Sequence, residues 1–453
     1  MKNFLGVTYL KDIEEINEKI KRGDAVILTA EEVVKMAKES SVKEVAQRVD
    51  VVTTATFAPM CSSGAFINFG HTTPPMRMEK IELSGVDVYG GLAAVDGYIG
   101  ATQESKDDKT FGGAHIIESL IKGEELYLKA SGKGTDCYPR KEFEGYVNKD
   151  MINDFFLLNP RNAYQNYAAA TNGSENIIYT YMGKLLPYFG NVTYSTSGEL
   201  SPLLKDPNLL TIGLGTRIFL CGGVGYVVWP GTQFKNDVKT NKHGIPLNGA
   251  RTLAVAGDAK KMNPRYIRAA YFKNYGVTIF IGIGVPIPIL DEEIAYYVSR
   301  SNEEIETELE DYGRWDKPVI GRYNYAQLKS GWIEIDGKKV KTSSLSSLSM
   351  AREIANELKS WIEDGSFLLT KPVELFSEKR SVKKLTEKLE KSEDSAIRTS
   401  KPSCVNCGAC ISLCGSDALT FVDGNFAFDK EKCTLCGLCS DACPVGVKLP
   451  PDD

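Results

Sequence analysis

The chain has 453 residues, of which 42% are apolar and 25% charged, and its formal net charge is −5. This length suffices for about three ordinary domains and for a core that needs no disulfides. The mildly negative charge argues against a nucleic-acid-binding surface. The apolar run at 277–290 is too short to cross a bilayer and contains two prolines, so no membrane contact is expected.

The cysteine content indicates metal or redox chemistry. The first residues, Met1 to Gly6, include no long apolar segment, so no secretory signal is expected and the protein is predicted to be cytoplasmic. The chain nevertheless contains 11 cysteines. Disulfides are rare in a reducing compartment, so most of these thiols are expected to bind metal or to react.

The N-terminal part of the chain predicts helices followed by a strand. Apolar residues recur with helical spacing at 13–20, and capping boxes at 29–32 and 41–44 predict two further helix starts. The β-branched run at 49–54 then predicts a buried strand. This strand leads into a loop that contains Cys61, and such loops often carry the chemistry of α/β proteins.

The middle of the chain is rich in predicted strands. Two short strands are expected within 85–101, a helix from His115 to near Gly123, and then a strand at 126–130. This strand enters a Gly-rich loop that contains Cys137. Further strands are expected at 177–181, 192–194, 252–257 and 277–285, and a Gly-rich β stretch that contains Cys221 at 209–228.

The C-terminal part predicts a domain boundary. An apolar stripe at 351–362 indicates an amphipathic helix. Residues 369–399 are dense in Lys, Glu and Ser and predict a charged helical linker. We therefore expect a mixed α/β large domain with a β-rich middle over residues 1–368, and a small domain over residues 400–453.

Two cysteine runs with the same spacing, C-x2-C-x2-C-x3-C, lie in the small domain. This is the ligand pattern of two-cluster ferredoxins, in which the fourth cysteine of each run ligates the other cluster. Zinc favours two CxxC pairs, and a disulfide knot belongs in short secreted chains. We predict a βαββαβ ferredoxin fold with two [4Fe-4S] clusters. The predicted ligand sets are Cys404, Cys407, Cys410 and Cys443 for cluster 1, and Cys433, Cys436, Cys439 and Cys414 for cluster 2.

Three cysteines remain outside these runs. Cys221 is expected to be a core thiol because it falls in an apolar stretch. Cys61 and Cys137 fall in strand-terminal loops and are candidates for chemistry. Basic residues next to Cys137, namely Lys133, Arg140 and Lys141, bring positive charge that favours a thiolate.

The motifs around these two cysteines resemble a known family. The segments APMCSSG at 58–64 and GKGTDCYPR at 132–140 resemble the archaeal homocysteine-biosynthesis family once known as DUF39, over roughly residues 1–365. That family is described as L-aspartate semialdehyde sulfurtransferase. Many of its members carry CBS domains and use a separate ferredoxin. This chain has no visible CBS pair and ends in its own ferredoxin domain, so it looks like a fusion of the two components.

The resemblance implies a reductive sulfur insertion. Aspartate semialdehyde, sulfide and two electrons would give homocysteine and water, with Cys137 handling the sulfur and Cys61 nearby. The sulfur could be held as a persulfide on Cys137 with Cys61 as resolving thiol, or on a third cluster bound by Cys61, Cys137 and Cys221. Basic side chains near the cysteines are the candidates for gripping the substrate, namely Lys133, Arg140, Arg77 and His71.

Two other function classes are compatible with the sequence. One is an Fe–S hydro-lyase with an open-site cluster, and the other is a non-enzymatic electron carrier. For the sulfurtransferase, the implied partners are aspartate semialdehyde, a sulfide donor and an upstream electron donor. No motif for a flavin is found, and the sequence leaves a homo-oligomer open.

Overall fold

The structure, a computed structural model, describes residues 11–162, 167–387, 404–422 and 425–448. The chain divides into two compact units, with the boundary between Lys383 and Lys384. In the part of the chain that is described, no helix is long and apolar enough to cross a membrane.

The large unit contains both helices and strands. Its described helices are α1 (Ile13–Arg22), α2 (Ala30–Glu39), α3 (Val42–Arg48), α4 (Gly113–Lys122), α5 (Pro202–Lys205), α6 (Glu292–Val298), α7 (Tyr325–Lys329) and α8 (Leu348–Glu363). Its described strands are β1 (Ile27–Thr29), β2 (Val51–Pro59), β3 (Gly64–Asn68), β4 (Lys80–Leu83), β5 (Val86–Val88), β6 (Asp96–Gly100), β7 (Leu126–Ser131), β8 (Glu142–Val147), β9 (Asp154–Asn162), β10 (Ala169–Thr171), β11 (Ile178–Thr180), β12 (Gly183–Leu185), β13 (Asn191–Tyr194), β14 (Gly213–Leu214), β15 (Arg217–Leu220), β16 (Gly223–Pro230), β17 (Leu253–Asp258), β18 (Ile267–Phe272), β19 (Gly276–Pro288), β20 (Glu306–Asp311), β21 (Val319–Asn324), β22 (Trp332–Ile335), β23 (Lys338–Ser344) and β24 (Glu374–Leu375).

The first helices begin and end where their capping residues predict. The Asp12 carboxylate accepts a hydrogen bond from the Glu15 N–H and caps α1, which ends at Gly23 with a positive φ of 75°. Thr29 and Glu32 form a complete capping box at the start of α2. Local side-chain chemistry is therefore enough to place these helix ends.

A ten-stranded sheet organises the large unit. Its strands follow the order β1-β2-β19-β15-β16-β17-β9-β3-β6, and β18 pairs with β19 off this path. The long pairing of β2 with β19 is antiparallel and joins Val51 to Pro288 at one end and Pro59 to Phe280 at the other. Helix α8 packs against both strands. A side chain at Gly282 would lie 2.8 Å from Ile354 of α8, so glycine lets the helix approach the sheet closely.

The described part of the large unit also contains two larger sheets and two short strand pairs, β11 with β12 and β14 with β24. A six-stranded sheet has the order β21-β20-β10-β13-β23-β22, and a four-stranded sheet has the order β5-β4-β7-β8. The four-stranded sheet is antiparallel throughout, and β7 and β8 form a hairpin whose tip contains Cys137. The mixed α/β class with a β-rich middle is thus confirmed.

The prediction of a helical linker is wrong for the residues that the structure describes. Residues 369–387 contain no helix, and β24 pairs with β14, which extends the large unit past residue 368. The side chains at 377–387 are mostly exposed and offer no apolar stripe to bury. An isolated helix without such a stripe is marginal in water, which accounts for the difference. The rest of the predicted linker, 388–399, lies outside the described residues.

The small unit has the inner elements of the predicted ferredoxin fold. These are α9 (Ala409–Ser412), β25 (Leu419–Val422), β26 (Asn425–Phe428) and α10 (Leu438–Asp441). The strands β25 and β26 form an antiparallel pair. The first and last strands of the predicted βαββαβ order would fall at the two ends of the unit, where residues 400–403 and 449–453 lie outside the described range.

Candidate functional site

The two cysteine runs of the small unit fold alike. The Cys404 sulfur accepts a hydrogen bond from the Asn406 N–H at 3.4 Å, and the Cys433 sulfur accepts the equivalent bond from Leu435 at 3.4 Å. The residues Asn406 and Leu435 both have positive φ values, 53° and 55°. Each run thus turns its backbone N–H groups toward its own sulfurs, and such hydrogen bonds tune the reduction potential of iron–sulfur clusters.

The eight thiols of these runs gather around two separate spaces. The first space is lined by Cys404, Cys407, Cys410 and Cys443, and the second by Cys414, Cys433, Cys436 and Cys439. Each space therefore takes three thiols from one run and the fourth from the other run. This is the arrangement that cross-ligation of two clusters requires.

The chemistry of these donor sets fits iron–sulfur clusters. Cysteine thiolates are the usual ligands of iron–sulfur clusters, and each space is lined by four of them. The first space has a volume of about 190 Å³ and the second of about 20 Å³.

Cys221 is a core residue, as predicted, but it does not lie in a strand. It occupies the turn between β15 and β16 with a φ of 51°, and its N–H donates to the Gly282 carbonyl at 2.8 Å. The side chain is fully buried in the main hydrophobic cluster, and burial raises the pKa of its thiol to about 12. The neutral thiol is therefore favoured, whereas metal binding needs a thiolate.

Cys61 lies in the turn between β2 and β3 and is partly buried. Its sulfur lies 3.1 Å from the Thr278 hydroxyl on β19. The Met60 N–H donates to the Ile279 carbonyl at 2.7 Å, which ties the turn to the same strand. The turn therefore holds the thiol in place against the start of β19.

Three tyrosines form a hydroxyl chain beside Cys61. The Tyr167 phenol interacts electrostatically with the Cys61 thiol and hydrogen-bonds to Tyr181. The hydroxyls of Tyr181 and Tyr312 lie 2.6 Å apart. The Lys317 ammonium lies 4.1 Å from the centre of the Tyr312 ring. Sequence analysis missed this cluster, because no spacing pattern links residues so far apart in the chain.

Cys137 lies at the exposed tip of the β7–β8 hairpin. Thr135 and Tyr138 exchange backbone hydrogen bonds of 2.9 and 3.0 Å across the tip, and Gly132 donates to the Lys141 carbonyl at its base. The thiol is thus presented on a tight turn, as the loop position of Cys137 predicts.

The four predicted substrate residues all lie around this hairpin. His71 stacks on Tyr138 with ring centres 5.9 Å apart, and the Arg77 carbonyl faces Gly132 so closely that no side chain would fit there. The Lys133 ammonium lies 3.8 Å from a carboxylate oxygen of Glu79 and is largely exposed. Its charge is directed at that carboxylate.

Arg140 connects the hairpin to a cleft. Its Nε donates to the Glu142 carbonyl at 2.9 Å, and its guanidinium lies over the Phe143 ring. It lines a cleft of about 1020 Å³ on the four-stranded sheet, together with several charged residues of β4, β5, β7 and β8. Arg140 is therefore the candidate substrate residue that faces a large open space.

The structure does not bring the three spare thiols together. Cys61 precedes β3, whereas the segment that packs on the Cys137 hairpin, from His71 to Arg77, follows β3. A five-residue strand spans about 17 Å. Cys221 pairs with Gly282, four residues along β19 from Thr278, which corresponds to about 13 Å. The convergence of the three thiols therefore stays a prediction, and the described contacts give no support to a cluster held by these three residues.

His115, a weaker candidate, has a structural role. Its Nδ1 accepts a hydrogen bond from the Gly112 N–H at 3.2 Å at the start of α4, and its ring stacks on Phe111. Burial lowers the pKa of this imidazole, which favours the neutral form that accepts the bond. It therefore caps a helix.

The large α/β unit carries two thiols in loops, and the small unit gathers eight thiols into two groups. Together these features define an iron–sulfur redox enzyme. Residues 25–369 match the family model for homocysteine biosynthesis enzymes, sulfur-incorporation, and residues 403–447 match a 4Fe-4S dicluster domain. The chain belongs to this homocysteine biosynthesis family, which confirms the resemblance drawn from the two cysteine motifs.

Curated relatives from methanogens support this membership. The chain is 52% identical to an L-aspartate semialdehyde sulfurtransferase of Methanocaldococcus jannaschii, over 81% of this chain and 73% of the relative. It is 50% identical to the protein of the same name from Methanosarcina acetivorans, over 83% and 74% of the two chains. An uncharacterized protein of Methanothermobacter thermautotrophicus is 28% identical over 71% of this chain and 72% of that protein. No solved structure matches the chain.

Proposed function

We propose that this enzyme converts L-aspartate semialdehyde and hydrogen sulfide to L-homocysteine with two electrons delivered through its own C-terminal unit. The aldehyde oxygen leaves as water, sulfur takes its place on the carbon, and two electrons and two protons reduce that carbon to the thiol level. The observation that carries the proposal is that one chain joins the sulfur-incorporation family segment to a dicluster ferredoxin segment.

The small unit is the electron source in this scheme. Two [4Fe-4S] clusters, when bound, supply electrons one at a time and two in total, which is the number that the reduction needs. Their ligands would be the two cross-run sets of thiols that line the two spaces. The N–H groups that point at these sulfurs would hold the thiolates in place and tune the potential.

Cys137 holds the incoming sulfur as a persulfide, and Cys61 is the resolving thiol. Sulfide opens a Cys61–Cys137 disulfide, leaving the new sulfur on Cys137 and a thiol on Cys61. When Cys61 and Cys137 later re-form their disulfide, the transferred sulfur regains the two electrons that sulfide gave up. The overall reaction therefore still consumes two electrons from the small unit. The burial of Cys221 favours this route over a three-cysteine cluster.

The route requires the Cys137 hairpin to move. Both thiols are free, and Cys137 lies on an exposed hairpin, so a disulfide between them needs this tip to approach the β2–β3 turn. Arg140 at the base of this tip would bind the substrate carboxylate. Its Nε is already held by the Glu142 carbonyl, so the two terminal amino groups are aimed at the cleft.

The test uses the full chain, purified without oxygen and loaded with iron. The wild type is given aspartate semialdehyde, sulfide and a low-potential reductant, and homocysteine is measured by mass spectrometry. We expect product that depends on all three additions. Cys137→Ala should abolish it, whereas Asp136→Ala, at the adjacent exposed position, should not.

Two results would contradict the proposal. Homocysteine formation by Cys137→Ala would show that sulfur is not carried there. Failure to trap a disulfide between Cys61 and Cys137 within one chain after mild oxidation, read by peptide mapping, would remove the resolving role of Cys61.

A further inference from the structure

The hydroxyls beside Cys61 form a continuous line. Tyr167 hydrogen-bonds to Tyr181, and the hydroxyl of Tyr181 lies 2.6 Å from that of Tyr312. The rings are packed as well, with centres 5.6 Å apart for Tyr167 and Tyr181 and 5.9 Å apart for Tyr181 and Tyr312. Tyr181 also packs on Tyr275, with ring centres 6.3 Å apart, and Tyr275 lies three residues before the Thr278 that contacts Cys61. A proton can therefore pass from one end to the other without a gap.

The surroundings keep the three phenols protonated. Burial is the main cause that raises the pKa of all three phenols above the ordinary value of 10.0. At the far end of the line, Glu310 interacts with Tyr181 and Tyr312, and burial raises the pKa of its carboxyl too. The three phenols are thus protonated at neutral pH, which is the state in which they can form a hydrogen-bonded line.

The tyrosines of this line make more contacts between hydroxyl groups than a tyrosine needs in order to pack. Tyr323, in contrast, directs its hydroxyl at a single backbone carbonyl, that of Glu334. In the line, Tyr181 is held between two other phenols, of which Tyr312 comes from a distant part of the chain. Three hydroxyls in series beside a reactive thiol match the demand of a reaction that consumes protons.

We propose that Tyr167, Tyr181 and Tyr312 form a proton relay that protonates the oxygen leaving as water from the aldehyde-derived substrate bound beside Cys61. This inference rests on the proposed function, because it assigns the acid that the water-releasing step requires. It also places that step at Cys61, where the partly buried thiol is held by Thr278, and not at the exposed tip of the Cys137 hairpin.

The relay moves protons only. The Tyr167 O–H bond breaks as its proton passes to the hydroxyl of the sulfur adduct, whose C–O bond then breaks to release water. Tyr181 returns a proton to Tyr167, Tyr312 returns one to Tyr181, and solvent returns one to Tyr312. One proton from solvent is used for each water released, and the two electrons of the later reduction come from the small unit.

The experiment replaces the middle hydroxyl. Tyr181→Phe keeps the ring that packs on Tyr167 and Tyr312 but interrupts the line, and Tyr323→Phe is the matched control. With the wild-type full chain active, we expect kcat of Tyr181→Phe to fall about tenfold or more, since general acid catalysis contributes at least that much. KM should stay unchanged, and the solvent deuterium isotope effect on kcat should increase, because proton delivery would then limit turnover.

Each other outcome contradicts the relay. Equal kcat for Tyr181→Phe and Tyr323→Phe would show that no proton passes through Tyr181. A rise in KM with an unchanged isotope effect would show that Tyr181 only positions the substrate. A wild-type chain that forms no homocysteine overturns the proposed function and the relay with it, whereas an active wild type with an unaffected Tyr181→Phe overturns the relay alone.

Discussion

The Cys61 sulfur and the Thr278 hydroxyl lie 3.1 Å apart, although the two residues are 217 positions apart in the chain. This contact ties the turn after β2 to the start of β19. Because Thr278 is fully buried, its hydroxyl has few other hydrogen-bond partners within reach. The thiol is therefore held in one orientation, next to the tyrosine line.

Removing the Thr278 hydroxyl should make Cys61 less reactive. Thr278→Val keeps the shape of the side chain but cannot donate to the thiolate that reacts. A net hydrogen bond contributes about 1 kcal/mol, so alkylation of Cys61 by iodoacetamide should slow about fivefold. Thr54→Val is the control, because the Thr54 hydroxyl bonds to the Val285 carbonyl on the same sheet. Equal alkylation rates for wild type and Thr278→Val would refute the prediction.

Cross-ligation in the small unit predicts which cysteine pairs act on one cluster. Cys443→Ser should remove the cluster whose other thiols belong to the first run, leaving about four iron atoms per chain. Adding Cys407→Ser should then remove no more iron, because both residues line the same space. Adding Cys436→Ser instead should remove nearly all of it. Iron analysis and electron paramagnetic resonance measure the iron content and the clusters of both double variants. The reverse pattern would mean that each run ligates its own cluster.

The large unit should contribute no iron. We expect the anaerobic wild type to hold about eight iron atoms per chain, and the variant Cys61→Ala/Cys137→Ala/Cys221→Ala to hold the same number. The reason is that the three thiols lie apart and Cys221 is buried in the core. A loss of about three or four iron atoms in the triple variant would support the three-cysteine cluster instead.

The buried carboxylate of Asp50 should be a major support of the large unit. It is 2% exposed, accepts from the Val26 N–H, and lies 3.0 Å from the ammonium groups of both Lys11 and Lys19. Asp50→Asn leaves the buried Lys11 ammonium without its counter-charge. We expect a loss of about 3–5 kcal/mol in the free energy of unfolding, measured with guanidinium. Glu18→Gln, which breaks an exposed pair, should cause no measurable change.

The same carboxylate gives a pH dependence. Burial opposes its ionisation, but the Val26 N–H and the two lysines outweigh it and hold the pKa of Asp50 below its ordinary value of 3.8. Its contribution is therefore fully present above that value and is lost as the pH falls through the folded-state pKa. The stability of the wild type should fall more steeply than that of Asp50→Asn on acidification below about pH 4. Parallel curves would contradict this.

Local patterns in the sequence predicted much of the fold. The helix cap at Thr29, the buried face of α1 and the apolar stripe of α8 all depend on residues within a few positions of each other. The helical linker was not predictable in this way, because a charged segment without a buried face has no local signal that decides between helix and coil. The turn position of Cys221 was missed for a similar reason, since an apolar stretch continues through the turn.

The sequence by itself determined the two cysteine runs, their spacing and the family of the large unit, since a ligand loop and a motif are short-range features. The spacing also predicted which thiols share a space, and the structure agrees. Only the tertiary structure decided that Cys61 faces Thr278 near a line of tyrosines, and that Cys137 lies on an exposed hairpin tip. These relationships join residues separated by more than a hundred positions in several cases, and they follow from how the sheets pack. No local periodicity carries that information.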